Sequence, residues 1–191
     1  EYGIDHSDTD MSSAEELAVF ESEKADATKD IGDVGQAFGP VAVEKGLANA
    51  YKTSYWNDIP SWAKDEDGKW IVAYYGTITL LTNKKLVANP PRSFKDLAEG
   101  SYKVNVGDVT VASQAQMAIL ATTMALGGSE KDVKPALEFY KKLAQEGRLD
   151  LGDNSLSRIE KGEVAVALLW DYNALGYRDM IKANNPDADF E

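Results

Sequence analysis

Hydrophobic residues recur along this chain with a helical period in some segments and as short continuous runs in others. Residues 12–16, SSAEE, hold two overlapping capping-box patterns, in which a Ser stands three residues before a Glu. Leu17 and Phe20 supply an apolar stripe behind them, which predicts a helix over about residues 13–24. The segment 30–40, interrupted by glycines, predicts a short buried strand.

Proline and glycine delimit the next elements. Pro40 and Gly46 bracket the sequence VAVEKG, which predicts a short helix with proline inside its start and glycine past its end. Residues 70–83 form the longest run rich in Ile, Val, Thr and Tyr, and Gly76 interrupts it near the middle. This run predicts one long strand, or two strands joined by a bend.

Beyond residue 90, helix and strand patterns alternate. They predict short helices at 93–100 and 155–162, longer helices at 115–128, 132–146 and 173–186, and strands at 102–106 and 163–170. This alternation is typical of an α/β fold with mainly parallel strands, and no internal repeat is detected. Ligands of such sheets usually bind at the carboxyl ends of the strands, so the loops there are the candidate sites.

The composition narrows the possible functions. The chain has 191 residues, with 32 acidic against 20 basic side chains, for a net charge of -12. An acidic surface repels phosphate backbones, and no basic stripe occurs, which argues against nucleic acid as a partner. No apolar run reaches the length that a membrane span needs. The absence of Cys excludes disulfides and thiol nucleophiles, and His6 is the single histidine, interpreted as a loop residue.

Familiar catalytic motifs are missing from the sequence. It contains no G-x-S-x-G, no G-x-x-x-x-G-K-[ST] and no G-x-G-x-x-G, so hydrolase elbows, phosphate-binding loops and dinucleotide fingerprints lack their glycine geometry. We therefore expect no enzymatic activity and no cofactor or metal. A carboxylate pair at Asp33 and Asp171 remains the alternative that would make the protein an enzyme.

Four loops at predicted strand ends carry groups suited to a small polar molecule, and each also has a purely structural interpretation. The glycines around Asp33 either form a turn or let the backbone approach a ligand, and tyrosines in a strand usually pack. Ser113 is interpreted first as a helix N-cap, although free helix-end amides also bind anions. An aromatic face beside a carboxylate, as at Trp170, Asp171 and Tyr172, suits a cationic or hydroxylated ligand. The loops are residues 33–36, 74–77, 113–116 and 170–173, and Arg158 is the one arginine expected near them.

Four stretches together resemble the solute-binding proteins of bacterial ABC importers, in the iron, polyamine, thiamine and phosphorylated-compound group. They are SSAEELAVFESEKADATKDIGDVGQAFGPVAVEKGL, DIPSWAKDEDGKWIVAYYGTITLLTNKKLVANPPRSFKDL, MALGG followed by ALEFYKKLAQEG, and IEKGEVAVALLWDYNAL. The resemblance implies a type II periplasmic-binding-protein fold with two α/β lobes. Residues 1–76 would be part of lobe one, 77–83 the hinge and 84–191 lobe two. Because the family's proteins are longer, lobe one is expected to be incomplete at both ends.

The resemblance also implies a function and a set of contacts. A small solute would be bound in an interlobe cleft and delivered to an ABC permease, by a monomeric protein outside the cytoplasm that is lipid-anchored in some forms. Ferric-iron relatives carry a tyrosine pair where this chain offers Tyr172 alone, which favours an amine over iron. A ligand-sensing domain of a regulator, and binding of a sugar phosphate, phosphonate or iron carrier, are the alternatives. The implied contacts are Asp33, Gly35, Tyr75, Gly76, Thr77, Ser113, Gln114, Trp170, Asp171 and Tyr172.

Overall fold

The computed structural model describes residues 3–191, and the chain divides into two compact units after Ala73. The first unit contains helix α1, Ser13–Ser22, helix α2, Phe38–Glu44, and single 3₁₀ turns at Trp56–Asp58 and Ser61–Ala63. The predicted first helix is confirmed, with its end two residues earlier. Its capping box forms at Ser12, whose side chain accepts a hydrogen bond from the Glu15 amide while the Glu15 carboxylate accepts one from the Ser12 amide.

The strand predicted over residues 30–40 is wrong. This segment is a loop in which Ile31 is 89% exposed, and α2 begins before the segment ends. Side chains of α1 hold the loop: Glu16 Oε1 accepts the Asp33 amide at 2.9 Å, and Ser13 Oγ accepts the Gly35 amide at 3.0 Å. These bonds satisfy backbone groups that a strand would have paired with a neighbour. The short helix that follows is confirmed, since α2 is followed by Gly46 at φ +64°.

The second unit, from residue 74 onward, is built on a four-stranded mixed sheet in the order β1-β4-β2-β3. Strand β1 pairs antiparallel with β4, whereas β4, β2 and β3 run parallel. The strands are β1 Ile78–Thr82, β2 Val104–Asn105, β3 Leu149–Asp150 and β4 Val166–Trp170; the helices are α3 Phe94–Glu99, α4 Ser113–Ala125, α5 Lys134–Gln145, α6 Leu156–Glu160 and α7 Asp171–Asn184. All five helices and two of the three later strands were predicted from the sequence.

The long strand predicted over residues 70–83 is only partly correct. Strand β1 begins at Ile78, and residues 72–77 form no strand. Ile71 makes an isolated antiparallel bridge with Lys64, so only the start of the run pairs with a neighbour, and it does so within the first unit. The high strand propensity of Tyr74 and Tyr75 is not realised, because these residues lead into the sheet without a neighbouring strand.

The core of the second unit forms on both faces of the sheet, because successive residues of a strand point to opposite sides. Val166 and Leu168 belong to one buried cluster, with residues of α3, α4 and α5. Ala167 and Leu169 belong to the other, with residues of α6 and α7. Strand β4 is thus buried on both faces, as its continuous apolar sequence predicts. Within residues 3–191 no helix has the length and apolar character to cross a membrane.

Candidate functional site

The carboxyl ends of β2, β3 and β4 lie at one edge of the sheet, and the antiparallel strand β1 begins at the same edge. The register pairs Ile78, the first residue of β1, with Trp170, the last residue of β4. Thr77 and Asp171 are therefore the next pair beyond the sheet. This arrangement brings the predicted loops 74–77 and 170–173 together within the second unit.

Asp171 organises this edge. Its amide donates to the Thr77 carbonyl at 2.9 Å, and its Oδ1 accepts the amides of Thr77 at 3.1 Å and Tyr172 at 3.0 Å. Asp171 is the first residue of α7, so its carboxylate also lies at the positive end of the helix dipole. The other carboxylate oxygen, Oδ2, has no hydrogen-bond partner among residues 3–191. Asp171 thus uses one oxygen to fix the loop and leaves one for a further donor.

Aromatic rings flank this carboxylate. The rings of Trp170 and Tyr172 stack at 6.2 Å between centroids, with 10° between their planes. Tyr74 meets Tyr172 edge to face at 5.5 Å and 87°. Tyr75, the candidate contact that the sequence analysis names in this loop, is 87% exposed, and its neighbour Tyr74 is the tyrosine that joins the aromatic cluster.

Gly76 lies against Tyr172 and Asp171. A Cβ atom at residue 76 would lie 2.6 Å from Cε1 of Tyr172 and 2.7 Å from Oδ1 of Asp171. Atoms cannot approach this closely, so the position accepts only glycine unless Tyr172 and Asp171 move. Gly76 therefore contributes close packing beneath the site.

The N-cap interpretation of Ser113 is wrong. Ala112 is the N-cap residue of α4 and Ser113 is the first residue of the helix, because the chain reaches helical geometry one residue earlier than the pattern predicts. Ala112 offers no side-chain acceptor to the first amides of α4. These amides therefore lack the capping bond that a Ser at the N-cap would have supplied.

Gln114 lies within hydrogen-bond reach of three segments at the same edge. Its Nε2 donates to the carbonyls of Val106, at 3.3 Å, and Leu168, and its Oε1 accepts Nδ2 of Asn154 at 2.7 Å. Asn154 was missed in the sequence because it follows β3, a two-residue strand too short to produce a pattern.

The charges around this edge are mainly negative. A hydrogen bond from the Thr110 hydroxyl lowers the pKa of Asp108, and one from the Ser155 hydroxyl lowers the pKa of Asp153, so both are anionic at neutral pH. Arg158, the expected cation, is already paired: its Nη2 lies 2.9 Å from Asp150 Oδ2 and its Nε 3.3 Å from Glu163 Oε2. The hydrogen bond to Asp150 also raises the pKa of Arg158.

Asp33 and Gly35 lie in the first unit, on the loop held by α1. No strand ends at this loop, so its predicted place at a strand end is wrong, and only the family resemblance supports a role for it in binding. Burial raises the pKa of Glu16, the hydrogen bond from the Asp33 amide opposes this, and the Asp33 carboxylate adds to the rise. In the part of the chain that the structure describes, no group of three or more acidic or histidine side chains is arranged to hold a metal ion.

Comparison with known proteins places the chain among binding proteins of bacterial transport. The model of a family described as "bacterial extracellular solute-binding protein" matches residues 26–187. No curated protein matches the sequence.

Solved structures share the fold at low sequence identity. The periplasmic binding protein AfuA of Actinobacillus pleuropneumoniae, with fructose-6-phosphate bound, superposes with a TM-score of 0.62 at 22% identity, over 94% of this chain and 58% of that one. The ferric binding protein of Campylobacter jejuni superposes with a TM-score of 0.60 at 20% identity, over 90% of this chain and 55% of that one. PotD of Streptococcus pneumoniae, the substrate-binding protein of a spermidine/putrescine ABC transporter, superposes with a TM-score of 0.57 at 17% identity, over 91% of this chain and 56% of that one. These likenesses confirm the predicted α/β fold of type II periplasmic binding proteins, and the chain spans less than two thirds of each.

Proposed function

The chain belongs to the bacterial extracellular solute-binding protein family, and on this premise we propose that it captures a small amine-bearing solute for an ABC importer. The family is one of binding proteins, in agreement with the prediction that the chain is not an enzyme.

The observation that supports an amine is the environment of Asp171 Oδ2. This oxygen has no partner among the described residues, while Oδ1 is held by the amides of Thr77 and Tyr172. An ammonium group that donates to such a carboxylate gains about 1.5–3 kcal/mol. A cation over the stacked rings of Trp170 and Tyr172 gains about 0.5–2 kcal/mol more. A fixed carboxylate beside aromatic rings thus suits a primary amine.

The surrounding charge favours the same ligand class. Asp108 and Asp153 are anionic, and the guanidinium of Arg158 is engaged by Asp150 and Glu163. An anion bound here would meet these carboxylates without a free arginine to neutralise it. A cationic or neutral polar solute meets no such opposition.

A sugar phosphate is the second candidate, supported by the start of α4. Its N-cap, Ala112, provides no acceptor, so the first amides of this 13-residue helix are available to an anion. AfuA, which has fructose-6-phosphate bound, shares the fold. The two candidates place opposite demands on Asp171, because a carboxylate attracts an amine and repels a phosphate.

The remaining parts of the proposal follow from the family. The partner would be a membrane-embedded ABC permease, and the protein would act in the periplasm or at the cell exterior, with a lipid anchor as one form of attachment. Asp33 and Gly35 in the first unit, and Tyr75 and Ser113 in the second, stay candidate contacts, whereas the side-chain amide of Gln114 is already bonded within the protein.

Calorimetry with putrescine, spermidine and fructose-6-phosphate tests the proposal. We expect an amine to bind, to bind more weakly as salt is raised, and to lose affinity in the Asp171→Asn variant. A ligand at a hundred times its dissociation constant adds about 2.7 kcal/mol to the free energy of unfolding, so thermal shifts give an independent readout. Binding of fructose-6-phosphate that Asp171→Asn strengthens would replace the amine by the phosphate. Binding of none of the three would refute both.

A further inference from the structure

The side chain of Gln114 connects three segments that reach the proposed site along different paths. Its amide nitrogen donates to Val106, directly after β2, and to Leu168, in β4. Its amide oxygen accepts from Asn154, in the loop after β3. One side chain on α4 therefore joins the residues that follow β2 and β3 to the middle of β4.

The two carbonyl acceptors lie in the interior. Val106 is 1% and Leu168 0% exposed, so water does not reach these residues. The β2–β4 ladder ends with the pair Asn105 and Ala167, one residue before Leu168. Gln114 thus supplies a donor where the strand ladder supplies none, and a buried carbonyl without a donor is strongly destabilising.

We infer that Gln114 is a positioning residue of the solute site: it fixes the loops after β2 and β3 against β4, the strand that leads into Asp171, and does not itself contact the solute. The inference rests on the proposed function, because it concerns the site where the solute would bind. Both amide hydrogens and one oxygen lone pair of Gln114 are already used within the protein. A solute could recruit this amide only by breaking bonds to buried carbonyls.

Gln116 provides a matched control on the same helix. Its Nε2 makes one hydrogen bond, to the Val109 carbonyl at 3.0 Å, in an exposed position. Gln116 carries the same side chain two residues farther along α4 without bridging strand ends. Gln116→Glu and Gln116→Leu therefore reproduce the change in charge and in shape without the change in positioning.

The first arm of the test needs no ligand. Amide hydrogen exchange is measured in the wild-type protein and in Gln114→Leu and Gln114→Glu. We expect about tenfold faster exchange across residues 107–112, 151–155 and 169–172, because two buried carbonyls lose their donor. Exchange in α5 should stay unchanged, as should all exchange in the Gln116 variants. Uniformly faster exchange throughout the second unit, or a change confined to α4, would overturn the inference.

The second arm separates positioning from direct contact by the sign of one effect. Gln114→Glu adds a negative charge near the site, so if Gln114 touched an amine, putrescine would bind more tightly. Positioning predicts that putrescine binds about tenfold or more weakly, because a carboxylate cannot donate to Val106 and Leu168. Gln116→Glu should leave the affinity of the protein for putrescine unchanged or slightly raised. Tighter binding to Gln114→Glu would overturn the inference.

The two arms keep the inference and the proposed function distinguishable. If wild-type protein binds no amine and no sugar phosphate, the function fails, while the exchange data still decide the role of Gln114. If the Gln114 variants do not fold, the role of Gln114 is tested in the wild-type protein by measuring the exchange of side-chain amide hydrogens with nuclear magnetic resonance. Those of Gln114 should exchange more slowly than those of Gln116, and equal rates would overturn the inference.

Discussion

Thr77 and Asp171, separated by 94 positions in the sequence, hold each other by reciprocal hydrogen bonds. The Thr77 amide donates to Asp171 Oδ1 at 3.1 Å, and the Asp171 amide donates to the Thr77 carbonyl at 2.9 Å. The start of β1 and the start of α7 are thereby fixed to one another. The same carboxylate that we propose to meet the solute also shapes its loop, so its two roles must be tested separately.

Asp171→Asn separates these roles. Asparagine keeps an oxygen for the amides of Thr77 and Tyr172 but loses the charge, so the loop should persist while putrescine binds about 10- to 100-fold more weakly. Calorimetry measures the affinity and circular dichroism the fold. Asp179→Asn is the control, since Asp179 is an exposed acid on the same helix that pairs with Arg178. An equal loss of affinity in both variants would mean that general charge, not Asp171, attracts the amine.

Gly76→Ala tests the close packing beneath Tyr172. The added Cβ would lie 2.6 Å from the Tyr172 ring, so the ring and the Asp171 carboxylate must shift, and we expect at least tenfold weaker amine binding. Gly176→Ala in α7 is the control, because nothing lies within 4 Å of the added atom there. That variant should gain up to about 1 kcal/mol of stability from helix propensity, with unchanged affinity. Unchanged affinity in Gly76→Ala would show that this packing does not shape the site.

The buried pair Thr122 and Tyr140 is expected to stabilise the second unit. Their hydroxyl oxygens lie 2.6 Å apart, and Thr122 Oγ1 also donates to the Ala118 carbonyl at 2.7 Å. Thr122→Val and Tyr140→Phe should each lower the free energy of unfolding by about 1–3 kcal/mol, because each leaves a buried polar group without its partner. The double variant should lose less than the sum, as removal of both partners leaves no orphan. Urea unfolding of the four proteins measures the coupling, and strict additivity would contradict it.

Alkaline pH should destabilise the folded protein through the same tyrosine. Burial raises the pKa of Tyr140 to about 12, above the value near 10 of an exposed tyrosine. The unfolded chain therefore releases this proton at lower pH than the folded protein, so the stabilising contribution is complete below pH 10 and is lost as pH rises toward 12. Tyr140→Phe should show a shallower fall in unfolding midpoint over this range. Parallel curves for the two proteins would contradict the assignment.

The sequence predicts the second unit far better than the first. Helix α5 has an amphipathic pattern, and β4 has the continuous apolar run of a strand buried on both faces, so each element is predicted by its own segment of the sequence. The sequence predicts strands over residues 30–40 and 70–83, and residues 30–37 and 72–77 of these segments form none. In the structure the amides of Asp33 and Gly35 bond to side chains of α1, and the Thr77 amide bonds to Asp171. These partners are distant in sequence, so no local pattern predicts them.

The candidate site is also only partly predictable from the sequence. Trp170, Asp171 and Tyr172 stand directly after an apolar strand, and position alone identifies them. Tyr74 gave no signal that distinguished it from Tyr75, since only the contact with Tyr172 makes the difference. The bonds of Gln114 to Val106, Leu168 and Asn154 arise from tertiary packing, and no local pattern encodes them.

The close approach at Gly76 limits which residues can replace it in related proteins. Because a side chain at residue 76 would occupy the space of the Tyr172 ring, the two positions share one volume. Among proteins descended from a common ancestor with this one, a larger residue at position 76 should appear together with a smaller residue at position 172. Reducing the ring first removes aromatic contacts, whereas a side chain added first at residue 76 would displace both Tyr172 and Asp171, so the ring should be reduced before the glycine is replaced.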